Sequence, residues 1–270
     1  MPKVQVNDIE IYYEIHGEGP PLLMITGYGG NLDGWDTLAP RVEKLSKNYK
    51  VITLDNRGTG RTSKPDGPYS VPIMADDIAG LLNNLSISKT HVLGSSMGGM
   101  IAQEVAIRHP EKVFKLVLVC TSPGGIAYNH PKQSEVIKKL SWAYSPPDGR
   151  TMDNVMEEMM SIVYYPSYFT ENKERIMAPS TDYPTVASTF EKQFNAIMNH
   201  NTVNRLESSS AETLVIHGMN DLLLIPEGGR MLADKIPNAD TMFLSEAGHA
   251  VLEEKWYEIY PKLVKFLGDS

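Results

Sequence analysis

Along the first half of the chain, short runs that are apolar at nearly every position alternate with longer segments whose apolar residues recur at helical spacing. Residues 22–26, 51–54, 90–94 and 113–119 read as strands covered on both faces, because a strand with one wet face would alternate apolar with polar residues. Two further β-rich runs, 4–6 and 9–15, flank the turn signal Asn7-Asp8. Helical spacing runs through 38–45, 73–85 and 97–109, the last stopping before Pro110, whose ring disfavours a helical conformation in the residue ahead of it. Strands alternating with helices predict a mostly parallel α/β sheet flanked by helices.

From about residue 123 to 205 the strand rhythm stops. Amphipathic helices are expected at 134–143, 152–163, 172–177 and 185–198, separated by turn signals such as Ser145-Pro146-Pro147-Asp148-Gly149. After Ser208-Ser209-Ser210 strands resume at 213–216 and 241–244, and 251–267 closes as a helix. The expected organisation is an α/β core made of residues 1–122 and 206–270, with 123–205 inserted as a helical cap or lid.

Composition narrows the class. A chain of 270 residues can bury a substantial core, and a net charge of −8 argues against nucleic acid or an anionic membrane as the main partner. With Cys120 as its single cysteine, the chain has no intramolecular disulfide and fits a reducing compartment. Residues 1–6 lack a charged leader followed by an apolar stretch, and no run approaches the roughly 20 apolar residues of a membrane span. A cytoplasmic globular protein without membrane or nucleic-acid partners is expected.

Candidate chemistry sits where the predicted strands end. Gly94-Ser95-Ser96-Met97-Gly98 joins a strand to a helix, and its small neighbours suit a sharp turn that presents the Ser96 hydroxyl as a nucleophile. A serine hydroxyl needs a base within hydrogen-bond reach and a third group to orient that base. Asp221, after strand 213–216, and His249, after strand 241–244, supply an acid and a base in the order Ser, Asp, His. Of the other histidines, His217 precedes Asp221 and suits a loop hydrogen bond, His91 lies in a strand, His109 ends a helix, and His16, His130 and His200 have no chemical context. Asp234 and Asp240, the alternative acids, fall in a helix and at the opening of a strand. An oxyanion hole is expected from the backbone amides of Met97 and Tyr28, with Gly27 allowing close approach.

These motifs, together with Asp55-Asn56-Arg57-Gly58-Thr59-Gly60-Arg61-Thr62-Ser63, His217-Gly218-Met219-Asn220-Asp221 and Gly248-His249, resemble α/β-hydrolase-fold serine hydrolases. The similar branch holds carboxylesterases, lactonases (enol-lactone and acyl-homoserine-lactone hydrolases among them) and cofactor-free haloperoxidases. The resemblance spans nearly all of both core segments and implies a cap over the active site where 123–205 is inserted. Thr26-Gly27 departs from the family's common His-Gly, which leaves a backbone donor possible but changes what supports its loop.

The activity expected is hydrolysis of a small-molecule ester or lactone by water, without cofactor or metal. The alternatives are a perhydrolase or haloperoxidase on the same triad, a carbon–carbon bond hydrolase, and a ligand-binding receptor on this fold. In the cap, Met152, Met156 and Met160, with Tyr164 and Tyr165, are the candidates for an apolar acyl pocket; Met159 and Tyr168 accompany them. Gly58-Thr59-Gly60-Arg61 lacks the lysine of a phosphate loop and reads as a structural turn, with Asp55 and Arg57 holding loops near the site. Cys120 reads as a small buried residue.

Overall fold

The computed structural model describes residues 2–124, 136, 139–179 and 181–268. Its strands are β1 (Lys3–Val6), β2 (Ile9–His16), β3 (Pro21–Ile25), β4 (Lys50–Leu54), β5 (Thr90–Ser95), β6 (Val113–Val119), β7 (Glu212–Gly218) and β8 (Ala239–Leu244). They form one sheet in the order β1-β2-β4-β3-β5-β6-β7-β8. The β1–β2 and β2–β4 pairs are antiparallel and every later pair is parallel. The first hairpin closes through Asn7, whose φ of +50° is a conformation asparagine tolerates.

The continuous apolar runs are explained by burial on both faces. Leu23 and Ile25 of β3, with Val92, Leu116, Leu118 and Val215, join a core with α2 (Val71–Asn84), α3 (Met97–Arg108) and α7 (Pro226–Lys235). Leu22 and Met24, with Leu93, Val117, Leu214 and Ile216, face α1 (Arg41–Leu45) and α9 (Trp256–Leu267) on the other side. Adjacent strand residues thus enter opposite cores, as a period of two requires.

Between β6 and β7 the described residues hold α4 (Met152–Val163), α5 (Pro166–Met177) and α6 (Ala187–Met198). The helix expected at 134–143 lies partly outside the described residues, and Leu140–Ala143 form a 3₁₀ turn. The expected C-terminal helix is broken into α8 (Val251–Glu254) and α9, because Lys255 leaves helical geometry at φ −124°. That break swings Trp256 into the core. Among the described residues no helix is long and apolar enough to cross a membrane. Because β5, β7 and β8 run parallel, their carboxyl ends share one edge of the sheet, where open α/β sheets gather their sites.

Candidate active site

Ser96 is the joint between β5 and α3. Its backbone adopts φ +57° and ψ −120°, a sparsely populated region that costs on the order of 1–3 kcal/mol for a residue with a side chain. Two hydrogen bonds hold it there, from Ser96 N–H to the Val119 carbonyl at 2.9 Å and from Thr121 Oγ1 to the Ser96 carbonyl at 2.7 Å. The flanking glycines are required by close backbone approach. A Cβ at Gly94 would stand 2.2 Å from the Gly98 carbonyl oxygen, and one at Gly98 would stand 2.1 Å from that of Ile25.

The three residues from separate strand ends meet. The Ser96 hydroxyl lies 2.9 Å from His249 Nε2, and His249 Nδ1 donates to Asp221 Oδ2 at 2.7 Å. A proton on Nδ1 leaves the Nε2 lone pair facing the hydroxyl, the tautomer a general base needs. Asp221 is buried, and its Oδ1 accepts from the Leu223 and Leu224 amides at 2.8 and 2.9 Å. Burial alone would raise its carboxyl. The facing charge of His249 and the hydrogen bonds from His217 and His249 outweigh it and hold the carboxyl well below the usual carboxylate range. His217 Nε2 lies 2.7 Å from the Leu224 carbonyl and 3.3 Å from Asp221 Oδ2, so this histidine ties the acid's loop.

The loop bearing His249 is fastened to the helical insertion. The His249 amide donates to the Val163 carbonyl at 2.7 Å, and Glu254 accepts from the Gly248 and Tyr165 amides at 2.7 and 2.9 Å. The end of α4 therefore shares its hydrogen bonds with the imidazole's own loop, a link between residues far apart in sequence that no local pattern signals.

The glycine loop after β3 lies against the serine: a Cβ at Gly27 would be 3.0 Å from Ser96 Cβ. Among the described residues, neither the Tyr28 nor the Met97 amide donates to another backbone carbonyl. Groups from elsewhere in the chain support this loop. Asn56 Nδ2 donates to the Thr26 carbonyl at 3.0 Å, and the Gly29 amide donates to Gln193 Oε1 at 2.9 Å. Gln193 belongs to α6 and is fully buried, with Nε2 donating to the Arg57 carbonyl at 3.3 Å. The Tyr28 hydroxyl donates to the Leu140 carbonyl at 3.1 Å, and its ring meets Phe190 edge-on.

Two cavities open on Ser95 and His249. The larger, about 260 Å³, also touches Ser96 and is lined mainly by apolar side chains, among them Met100, Leu140, Met159, Ile197 and Leu223. Met160 and Tyr164 of the expected pocket line it. Met152 and Met156 do not: they are 47% and 38% exposed, and Tyr165 is also outside the lining. The face of α4 that turns inward carries Val155 and Met159, with Met160 partly buried beside them, whereas Met152 and Met156 lie on the exposed side. The smaller cavity, about 190 Å³, includes Asn31, Trp35, Arg41 and Glu253.

The remaining chemistry-bearing residues have other surroundings. Cys120, His217 and Asp221 offer ligand atoms within 4.8 Å of one another, yet Asp221 Oδ2 accepts from His249 and His217 Nε2 needs its proton for the Leu224 carbonyl. Burial, followed by the nearby Asp221 charge, pushes the Cys120 thiol well up, which keeps it protonated. Asp55 accepts from the Leu32 and Arg61 amides and so does hold a loop beside the site. Arg57 instead reaches away to Asp8 and Asp77. His91 and His200 are buried, His109 and His16 contact Asp76 and Glu14, and His130 lies outside the described residues. Asp234 is in α7, and Asp240 pairs with Lys262.

A profile of the alpha/beta hydrolase fold family matches residues 20–255. The chain is 32% identical over 254 residues to 2-hydroxy-6-oxononadienedioate/2-hydroxy-6-oxononatrienedioate hydrolase 1 of Pseudomonas putida, covering 90% of this chain and 86% of that one. It is 28% identical over 253 residues to a candidate carbamate hydrolase, RutD, of Azorhizobium caulinodans, covering 93% and 92%. Among solved structures, the enol-lactonase from Burkholderia xenovorans LB400 is similar with a TM-score of 0.84 at 25% identity, over 98% of this chain and 99% of that one. With relatives that match along nearly the whole length and a strand order that accounts for where the site lies, the chain belongs to the α/β hydrolase fold family of hydrolases.

Proposed function

We propose that this protein is a serine hydrolase that cleaves carboxylic esters or lactones through an acyl-enzyme intermediate. The observation that carries the reading is His249 spanning the Ser96 hydroxyl and the Asp221 carboxylate at 2.9 and 2.7 Å. His249 Nε2 takes the hydroxyl proton as Ser96 Oγ bonds to the substrate carbonyl carbon. Asp221 keeps the proton of Nδ1 in place and stabilises the imidazolium that forms. The carbonyl oxygen becomes an oxyanion and accepts from the Met97 and Tyr28 amides, with Gly27 giving the loop its close approach. The tetrahedral centre collapses, and His249 returns its proton to the departing alcohol oxygen. Water, deprotonated by the same nitrogen, then attacks the acyl carbon and releases the acid and Ser96.

In this reading residues 123–205 are the lid over a core of 1–122 and 206–270, and Met160 and Tyr164 belong to the acyl pocket. The apolar lining of the larger cavity supports an acyl group bigger than acetyl. The single cysteine supports a cytoplasmic setting. A second reading, carbon–carbon bond hydrolysis, is favoured by the 32% identity to the Pseudomonas putida hydrolase, which is named for a dioate. Against it, Arg41 is the one cationic side chain in the described lining of the two cavities, and Glu253 pairs with it.

Hydrolysis of p-nitrophenyl esters of increasing acyl length, beside enol-lactones, acyl-homoserine lactones and peroxide-dependent halogenation, tests the proposal. Turnover rising from acetate to medium chains and lost in Ser96→Ala is expected. A preference for acetate with no gain beyond it, or turnover that survives Ser96→Ala, contradicts it.

A further inference from the structure

The smaller cavity beside Ser95 and His249 contains a charge arrangement that the catalytic cycle does not use. Arg41 is fully buried at its floor. Its Nε donates to the Trp35 carbonyl, its Nη2 donates to the Gly34 carbonyl at 2.9 Å, and its Nη1 lies 3.3 Å from Glu253 Oε1. The guanidinium also sits over the Trp35 ring, 5.7 Å from its centroid. Glu253 lines both cavities, and its other oxygen accepts from the Tyr164 hydroxyl. It belongs to α8 and lines both cavities together with His249. In the described lining of the larger cavity, Glu253 is the one acidic side chain, and no lysine or arginine accompanies it there.

A desolvated guanidinium is a strong carboxylate receptor when its donors are free. Here two of its five N–H groups donate to the Trp35 and Gly34 carbonyls, and Glu253 beside Nη1 balances its charge, so the pair contributes no net charge. A substrate carboxylate entering either cavity gives up its hydration, gains no free cation, and meets the Glu253 charge at short range in a partly dry site. The same pair also leaves a specific remedy: taking the charge from Glu253 while keeping its shape leaves the Arg41 charge unbalanced beside the cavity.

We propose that Glu253 is a specificity-determining residue which, by balancing the charge of Arg41, restricts this site to uncharged esters and lactones, and that its neutralisation converts the Arg41 compartment into a carboxylate subsite. The inference rests on the ester and lactone reading above and names the substrate class within it.

The test uses two matched ester pairs: methyl 4-acetoxybenzoate against 4-acetoxybenzoate, with the charge on the leaving group, and phenyl butyrate against phenyl hemisuccinate, with the charge on the acyl group. Each kcat/KM is divided by the rate of hydroxide-catalysed hydrolysis. The native chain is expected to favour the neutral member of both pairs by at least about tenfold. Glu253→Gln keeps a hydrogen-bond partner for Tyr164 and is expected to shrink that preference about tenfold or more in the pair whose carboxylate reaches Arg41. A loosened lid would slow both members alike and leave the ratio unmoved. Equal rates within both pairs for the native chain, or an unchanged ratio in a Glu253→Gln protein that still hydrolyses the neutral ester, overturns the inference alone. Should Glu253→Gln fail to fold, Glu253→Ala takes its place, with the same change in ratio expected and an unchanged ratio again overturning the inference. Absence of hydrolysis of every ester by the native chain overturns the underlying reading, and the inference with it.

Discussion

Replacing Gln193 with leucine separates what α6 of the helical insertion does for stability from what it does for catalysis. The side chain is fully buried on α6, accepts from the Gly29 amide at 2.9 Å and donates to the Arg57 carbonyl at 3.3 Å. Leucine fills much of the same volume and offers neither bond. A buried polar group left without a partner costs about 1–3 kcal/mol. Gly29 is half-buried and accessible to water, and the bond to Arg57 is long, so the sum falls at about 2–3 kcal/mol. Removing an oxyanion donor outright lowers kcat by about 10²–10³. Gln193→Leu leaves the Tyr28 amide present but loosens the residue beside it, so a fall in kcat of about 10–100-fold with KM changed less than about threefold is expected. Urea unfolding measures the first quantity, and steady-state kinetics on p-nitrophenyl butyrate the second. A variant destabilised by the expected amount whose kcat stays within about twofold of the native value would refute the claim that α6 positions the oxyanion loop.

Other consequences follow from the same geometry. Asp221→Asn keeps acceptors for the Leu223 and Leu224 amides but presents an amide to His249, favouring the wrong tautomer; kcat is expected to fall about 10⁴-fold with the fold retained by circular dichroism. Burial holds the His91 and His200 imidazoles down at about 4 and about 3, so each stays neutral in the fold and protonates on unfolding. Stability is therefore lost as pH falls below about 6.5, by up to about 1.4 kcal/mol per pH unit for each histidine. Lowered Asp221 adds its own loss only below about pH 4. His91→Phe should flatten the decline in urea-unfolding stability between pH 6.5 and pH 5, and an unchanged slope would argue against it.

The placement of the candidate triad is legible from chain position: Ser96, Asp221 and His249 each follow a strand end, and the fold brings the three side chains together. The lining of the cavity was less legible. Periodicity assigns Val155, Met156 and Met159 to helical faces but does not say which face turns inward, and the run of methionines drew attention to Met152 and Met156, on the wet side of α4. Leu140, Ile197 and Leu223 line the cavity without any local sign, because they arrive from separate segments. Gln193 and Glu254 were equally silent: each acts on a loop through tertiary hydrogen bonds, the first across 164 positions of sequence. Arg57 shows the opposite error, since its place in a loop that resembles a family motif suggested a role near the site, whereas Asp8 and Asp77 hold it elsewhere.

The central claim is that Ser96 forms the acyl-enzyme with His249 as its base. Mass spectrometry of the protein after treatment with a fluorophosphonate tests it most directly, because the phosphonyl group stops at the nucleophile. The account predicts one adduct per chain on the peptide containing Ser96, formed in step with loss of esterase activity, absent in Ser96→Ala and much slower in His249→Ala. An adduct on another residue that accompanies inactivation, or full labelling of Ser96→Ala, would contradict it.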